Sequence, residues 1–528
     1  MKKKIILTLA LLVGIVGDVL FWKKAPGISF PLFITICLAG AFFLLRSEGI
    51  RPSKANLILM VGVVLLAVFT FIRKDPLTDL VSYALTVLFA VILAATYNNG
   101  AWTRFNLSDY IREGLAILGG LIVFPWKFLF FDRESSEEEK TAQSKSVILP
   151  VLRGLLLAVP VLMVFTVLLS SADMVFSQRL ESLLKNFRIE NIGEYFAQGF
   201  AALMIAYMMI GLVKIAEVYG QKTEPQGNKS AVVKPFLGFT EGATVLIAVM
   251  VLFSVFVAIQ FRYFFSGELN ISQTGFTYAE YARRGFGELI WVAVFSLLVI
   301  QVLRTVSKIE TSKQNKLLTG LIVGLVALTL VILVSSYQRL ALYESAYGFS
   351  RLRTYSHFFI LWLGLLLVGT VVLEVINQPR AFANAVLAAS LGFVLTLNLI
   401  NVDAFIVRQN LNWAEQGMQL DAQYLASLSS DAIPRMVEAF NNETYPAEIR
   451  NEIGTALACQ NERLTVEAGE PYYNRWPSFN LADEQARKAL EENRTAISKY
   501  PVRSDEYGNS LVMLDGEEFY CQADMGFD

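Results

Sequence analysis

The chain has 528 residues, of which 55% are hydrophobic and only 17% charged, and its mean hydropathy is +0.49. A water-soluble domain carries roughly a quarter charged residues, so this composition excludes an ordinary soluble protein and points to a bilayer. The 45 basic and 46 acidic residues leave −1 overall, which gives no bulk attraction to nucleic acid, and one histidine with three cysteines excludes a His/Cys metal centre of the usual ligand count.

The start, MKKKIILTLALLVGIVG, imitates a secretory signal. No small-x-small cleavage site follows, and FWKK closes the run like an interface anchor, so it reads as a retained first span. A crossing helix needs about 20 apolar residues. Eleven runs meet or approach that length: 4–22, 28–45, 55–72, 77–96, 154–171, 195–217, 241–262, 286–304, 317–336, 356–377 and 382–402. A further run at 115–131 is short and interrupted by Pro125, Trp126 and Lys127, which predicts an interfacial or re-entrant helix. With the N-terminus inside, the cytoplasmic segments collect 22 Lys and Arg and the translocated loops 13, the bias expected of an inward N-terminus. An odd crossing number then puts the C-terminus outside the cell (cytoplasmic) membrane. Asp18, near the outer end of the first span, reads as a topology marker, with a catalytic or ion-coupling carboxylate as the sharper alternative.

The polar stretch 132–146 predicts a cytoplasmic linker between a membrane block at 1–131 and a second block of seven spans at 147–403. After the fifth span, Phe176, Leu180, Leu183, Leu184 and Phe187 recur at helical spacing, an amphipathic helix lying on the outer leaflet or packed on the tail. Residues 404–528 hold 10 basic and 21 acidic residues, a separate acidic domain. Its stripes Ile433/Met436/Val437/Phe440 and Ile449/Ile453/Ala456/Leu457 predict two helices, Asn480 caps a third, and Asp515-Gly516 between strand-like runs predicts a hairpin. Cys459 and Cys521 both fall in this tail, as a disulfide or as two thiols, while Cys37 packs within a span. The expected fold is therefore an all-α polytopic membrane protein of about eleven spans with a small, mostly helical C-terminal domain ending in a hairpin.

No phosphate loop and no Gly-rich dinucleotide turn occurs, so no cofactor is expected. Three segments of the second block bring costly polar residues to one face. The first carries Tyr278, Glu280, Tyr281, Arg283, Arg284 and Glu288; the second Arg339, Tyr343, Glu344, Tyr347, Arg351, Arg353, Tyr355 and His357; the third Asn398, Asn401, Asp403 and Arg408. Arginine resists translocation, so outer arginines need a reason. In one reading Arg pairs with Glu280, Glu288, Glu344 and Asp403 to lock loops together. In the other, Arg283, Arg284, Arg339, Arg351 and Arg353, with Glu288, Glu344 and Asp403 beside them, form a site for an anionic headgroup or lipid-linked phosphate, because the guanidinium fork suits phosphate oxygens. His357 reads as a hydrogen-bonded packing residue or a titrating switch, and Gly320 with Gly324 as a close helix contact.

The strings RGLLLAVPVLMVFTVLLSSADMVF, FTYAEYARRGFGELIWV, YGFSRLRTYSHFFILWLG, NLINVDAFIVRQN and LDAQYLASLSSDAIPRM resemble the bacterial membrane family known as domain of unknown function 4173, over about residues 150–440. The resemblance implies a multi-pass membrane protein and brings no activity, substrate or catalytic residue. Three functions compete. The first is a non-enzymatic membrane protein that binds an anionic envelope component, with membrane lipids as its partners, in transport, scaffolding or sensing. The second is a lipid-dependent glycosyl- or phosphotransferase, against which the short, basic first external loop KKAPG counts. The third is a secondary transporter, for which no inverted repeat is evident.

Overall fold

The computed structural model describes residues 3–130, 192–220, 235–264, 285–470, 475–506, 509–514 and 517–521, with isolated positions 165, 169, 173, 175, 176 and 472. The expected span at 154–171, the linker at 132–146, the helix around 176–187 and the loop with Tyr278, Glu280, Tyr281, Arg283 and Arg284 fall wholly or largely outside the described residues.

Membrane helices form where apolar runs must satisfy their own backbone groups in hydrocarbon. They are α1 (Lys3–Phe21), α2 (Ser29–Ser47), α3 (Lys54–Ile72), α4 (Pro76–Thr96), α5 (Leu107–Phe130), α6 (Ile192–Gly220), α7 (Phe239–Phe264), α8 (Phe286–Val306), α9 (Ser312–Tyr347), α10 (Arg351–Val375) and α11 (Phe382–Ile400). All eleven, among the described residues, are long and apolar enough to cross a membrane. The total matches the expected eleven, but the membership differs: α5 stands in the set where 154–171 was counted. The apolar signal of α5 is weak because Asp109, Arg112 and Glu113 occupy its first turns, and Pro125 lies inside a continuous 24-residue helix. Leu107, Ile111, Leu115, Leu118, Ile122 and Trp126 form an exposed apolar stripe along it.

Starts are set by local chemistry. The Ser53 side chain accepts from Asn56 N–H at 3.3 Å to open α3, and Asp75 caps α4 with Pro76 in its first turn. Thr311 and Gln314 form a reciprocal capping box on α9. That helix is 36 residues long, because YQRLALYESAY continues it beyond its apolar stretch.

The chain divides into two compact units. One comprises Met1–Trp22, Thr35–Arg51 and Ile117–Tyr219. In it α1 runs beside α6 with opposite sense: Gln198 Nε2 donates to Asp18 Oδ2 at 2.7 Å and Trp22 Nε1 to Glu194 Oε1 at 3.4 Å, while Lys3 and Lys214 both lie over the Phe128 ring. Lys3 Nζ also donates to the Leu129 carbonyl at 3.3 Å.

The other unit comprises Lys23–Ile34, Pro52–Ala116 and Gly220–Asp528. The described parts of α7, α8 and α10 surround α9, whose Leu318, Ile322, Leu325 and Val326 are fully buried. Gly392 lets α11 press its backbone against the Trp362 ring of α10, a position with no room for a Cβ. Ile58, Leu252 and Leu365 face outward, the apolar surface lipid would cover.

Beyond α11 come α12 (Val402–Ala414), α13 (Ala422–Ser427), α14 (Ile433–Asn441), α15 (Ala447–Gly469), α16 (Leu481–Glu492) and α17 (Arg494–Ile497). A three-stranded antiparallel sheet follows, β1 (Val502–Ser504), β2 (Ser510–Leu514) and β3 (Glu517–Tyr520), in the order β1-β2-β3. The expected hairpin is β2–β3, with Leu514 opposite Glu517; β1 is an addition, pairing Val502 with Val512. Asn480 caps α16 as expected, accepting from Ala482 N–H at 2.9 Å. Cys459 on α15 is joined to Cys521 by a disulfide, and Cys37 is a free thiol. One apolar core runs from Leu397 in α11 through Ile406, Met436 and Leu457 to Val512, so the region after residue 403 shares its core with the end of a membrane helix.

Candidate functional site

The chemistry concentrates where the three-residue α3–α4 connection, Arg73-Lys74-Asp75, meets the start of α10, the α11–α12 junction and the C-terminal region. Asn401 makes the junction: its backbone adopts the left-handed conformation (φ 57°) that asparagine tolerates, and its side chain caps α12 by accepting from Ala404 N–H. The break places Asp403 in the first turn of α12, wholly buried, where the positive helix end favours a carboxylate.

Arg351, the first residue of α10, meets Asp403 with both prongs, Nε to Oδ1 at 2.9 Å and Nη2 to Oδ2 at 2.5 Å. Asp403 Oδ2 also accepts from Ser429 N–H at 2.7 Å. Arg351 Nε lies 3.7 Å from Asp75 Oδ1, and its backbone N–H donates to Tyr424 Oη at 2.6 Å. Asp75 further accepts from the Tyr355 and Thr78 hydroxyls. Burial pushes the Asp403 carboxyl up, but the Arg351 hydrogen bonds and charge, with the Ser429 bonds, hold it below the usual carboxylate value. Asp75 moves the other way, raised by burial and then by the Asp403 charge.

A second set continues from the first. Asp431 accepts from Lys74 N–H at 2.7 Å and from Arg73 Nη1 at 3.3 Å, and Arg73 Nε donates to the Asn398 carbonyl at 2.8 Å. Lys74 Nζ and Ser430 Oγ donate to Asp483 at 3.0 and 2.6 Å. Asn480 Nδ2 donates to the Arg73 carbonyl at 2.9 Å. In the α1–α2 connection, Ile28 N–H donates to the Phe479 carbonyl at 2.8 Å, over Gly27, where a Cβ would strike the Ser478 and Phe479 backbone. The C-terminal region is thus bonded to two connections and two helix ends on one face.

Burial raises the Asp431 carboxyl to about 6, against the pull of Lys74 N–H and Arg73. A folded-state value above the unfolded one means that the folded protein holds the proton more tightly. This group's contribution to stability therefore grows as pH falls through about 6 and is complete below 3.8. The gain in stability of the purified protein between pH 7.5 and 5, followed by thermal unfolding, should be about 1–2 kcal/mol smaller in Asp431→Asn than in the parent. An equal slope in the variant would refute the assignment.

Of the predicted site residues, the structure brings Arg351 and Asp403 into one pair. Glu344 is buried and bonded to His357 Nδ1 at 3.0 Å, so His357 has the hydrogen bond that its packing reading expects. Arg353 Nη1 donates to the Tyr347 and Gly348 carbonyls at 3.0 and 2.5 Å, and its guanidinium lies 4.1 Å from the Tyr343 ring centroid. Glu288 is exposed in the first turn of α8, and Arg339 is half-buried with its head beside Gly285. Arg283 and Arg284 lie outside the described residues. Sequence reasoning missed Arg73, Lys74, Asp75, Tyr424, Asp431 and Asp483 as members of one network. The available signal was three consecutive charged residues, RKD, in a connection too short to need them. Among the described residues no group of His, Cys, Asp and Glu could hold a metal.

Fold and network together define a multi-pass α-helical membrane protein with its C-terminal region bonded onto the ends of its spans. The model of the family described as domain of unknown function (DUF4153) matches residues 60–439, and the chain belongs to that family. The match starts well before the expected 150, takes in α3 and α4, and carries the number 4153 where the resemblance named 4173. It contains Asp75, Arg351, Tyr355, Asp403, Tyr424 and Asp431 but ends before Asp483. No curated protein and no solved structure matches the chain.

Proposed function

We propose that the chain is a non-enzymatic protein of a bacterial cytoplasmic membrane, N-terminus inside and C-terminal domain outside, that binds an anionic lipid or lipid-linked headgroup at the outer rim in a scaffolding, transport or sensing role. The observation that carries the binding site is the contrast between neighbouring arginines. Arg351 is spent on Asp403, whereas Arg353 has no carboxylate partner among the described residues and is held open by Tyr343, Tyr347 and two carbonyls. Such a guanidinium suits a phosphate oxygen at an interface that tyrosines favour. The transferase alternative gains nothing, since Asp75 and Asp403 are committed to Arg351, Tyr355 and Ser429.

The orientation rests on parity within the first unit. The α6 N-terminus lies beside the C-terminal end of α1, so an even number of crossings separates Phe21 from Ile192. That even number is met when α2, α3 and α4 cross together with one further apolar run, which keeps the crossing total of the chain odd. The α1–α2 connection, bonded to Phe479, then shares the face opposite the N-terminus with the tail. The positive-inside bias puts the N-terminus in the cytoplasm, and the Cys459–Cys521 disulfide fits an oxidising outer compartment.

Alkaline phosphatase fused after residue 521 should be active in whole cells; an inactive fusion with normal expression rejects the orientation. Mass spectrometry of lipid retained through purification should find anionic lipid enriched, with the enrichment lost in Arg353→Gln. Bulk lipid unchanged by that variant rejects the headgroup site.

A further inference from the structure

A cavity of about 580 Å³ opens at the other end of the same bundle, between the connections α4–α5, α8–α9 and α10–α11. Its volume falls in the range of small-ligand sites. Arg104, Arg304 and Arg380 line it, and no aspartate or glutamate does. Arg304 forms the floor: Nη1 donates to Asn315 Oδ1 at 2.8 Å, Nε lies 3.4 Å from the buried Glu374, and Asn315 Nδ2 donates to Asn377 Oδ1 at 3.0 Å. Asn377 has a positive φ of 56°, which turns the α10–α11 connection around the opening. Arg104 and Arg380 are exposed and form no ion pair among the described residues. The inward bias of basic residues explains two such charges in cytoplasmic loops. It does not require that they converge on a cavity whose floor is a third, hydrogen-bonded guanidinium.

We propose that this cavity is a second anion site, distinct from the outer rim, which takes a phosphoryl group at the membrane surface opposite the C-terminal domain. Arg104 and Arg380 grip the phosphoryl oxygens, and Arg304, fixed by Asn315 and Glu374, sets their position. The group is either the headgroup phosphate of an anionic lipid or that of a soluble phosphate compound, since both present the same oxygens.

The purified full-length protein in neutral detergent separates the two. Thermal unfolding of the Arg353→Gln variant, which takes the outer-rim site out of the readout, is followed with phosphatidylglycerol, with phosphatidylcholine, and with sodium pyrophosphate against sodium chloride of equal ionic strength. A stabilisation by phosphatidylglycerol alone assigns the site to lipid; one by pyrophosphate assigns it to a soluble phosphate compound. In either case Arg104→Gln with Arg380→Gln, added to the Arg353→Gln background, should raise the half-saturating concentration about tenfold or more. No stabilisation by either anion, or one that survives those two added substitutions, overturns the proposal.

Discussion

Arg351→Ala should destabilise the protein by about 3–5 kcal/mol, the cost of leaving a buried carboxylate without its partner. Asp403 is wholly buried and receives two of its three described hydrogen bonds from that guanidinium. Arg351→Lys should recover only part of the loss, because an ammonium cannot fill both prongs at once and would leave one oxygen short. Replacing both partners, Arg351→Met with Asp403→Leu, removes the stranded charge and should lie closer to the parent than either single change. The measurements are thermal unfolding of the full chain in detergent and the rate at which protease releases the C-terminal region. A single Arg351→Ala variant as stable as the parent would mean that the pair holds nothing together.

The Cys459–Cys521 bond carries the second large effect. It closes a sequence separation of 62 residues that includes α16, α17 and all three strands. Loop-closure entropy for a ring of that size gives about 4 kcal/mol, on the model in which the crosslink constrains the unfolded chain. Cys459→Ala with Cys521→Ala should therefore expose the sheet to protease and lower the denaturation midpoint, and reductant should do the same to the parent. On a non-reducing gel the parent should migrate faster than its reduced form. Equal mobility and an unchanged midpoint would show two thiols, and would also remove one support for an outer C-terminal domain.

Much of the architecture was legible because a bilayer imposes one simple demand, a long apolar run, and ten of the eleven expected runs coincide with described helices. The capping asparagine at 480 and the β2–β3 hairpin were readable for a similar reason, since each is decided by a few adjacent residues. The ends of helices were less legible: α9 extends through Arg339 and Glu344 because helix propensity and packing continue after hydropathy has fallen. The site was legible by residue type but not by partner. Arg351 and Asp403 were both marked as candidates, yet that they would consume each other depends on the Asn401 turn. Asp75, Asp431 and Asp483 each look like ordinary surface charges until folding brings distant segments to one connection. Strand β1 was missed because three residues carry no period.

The length of α9 has a further consequence. Its 36 residues rise about 54 Å, against roughly 30 Å of hydrocarbon, so the helix acts as a mast standing well clear of the acyl chains. The Ser345 carbonyl near its tip accepts from Trp413 Nε1 at 3.1 Å, so α12 is moored to that height. The C-terminal region is thereby tied to the part of α9 that exceeds the hydrocarbon, so a change in bilayer thickness or helix tilt should alter how far it stands from the acyl chains.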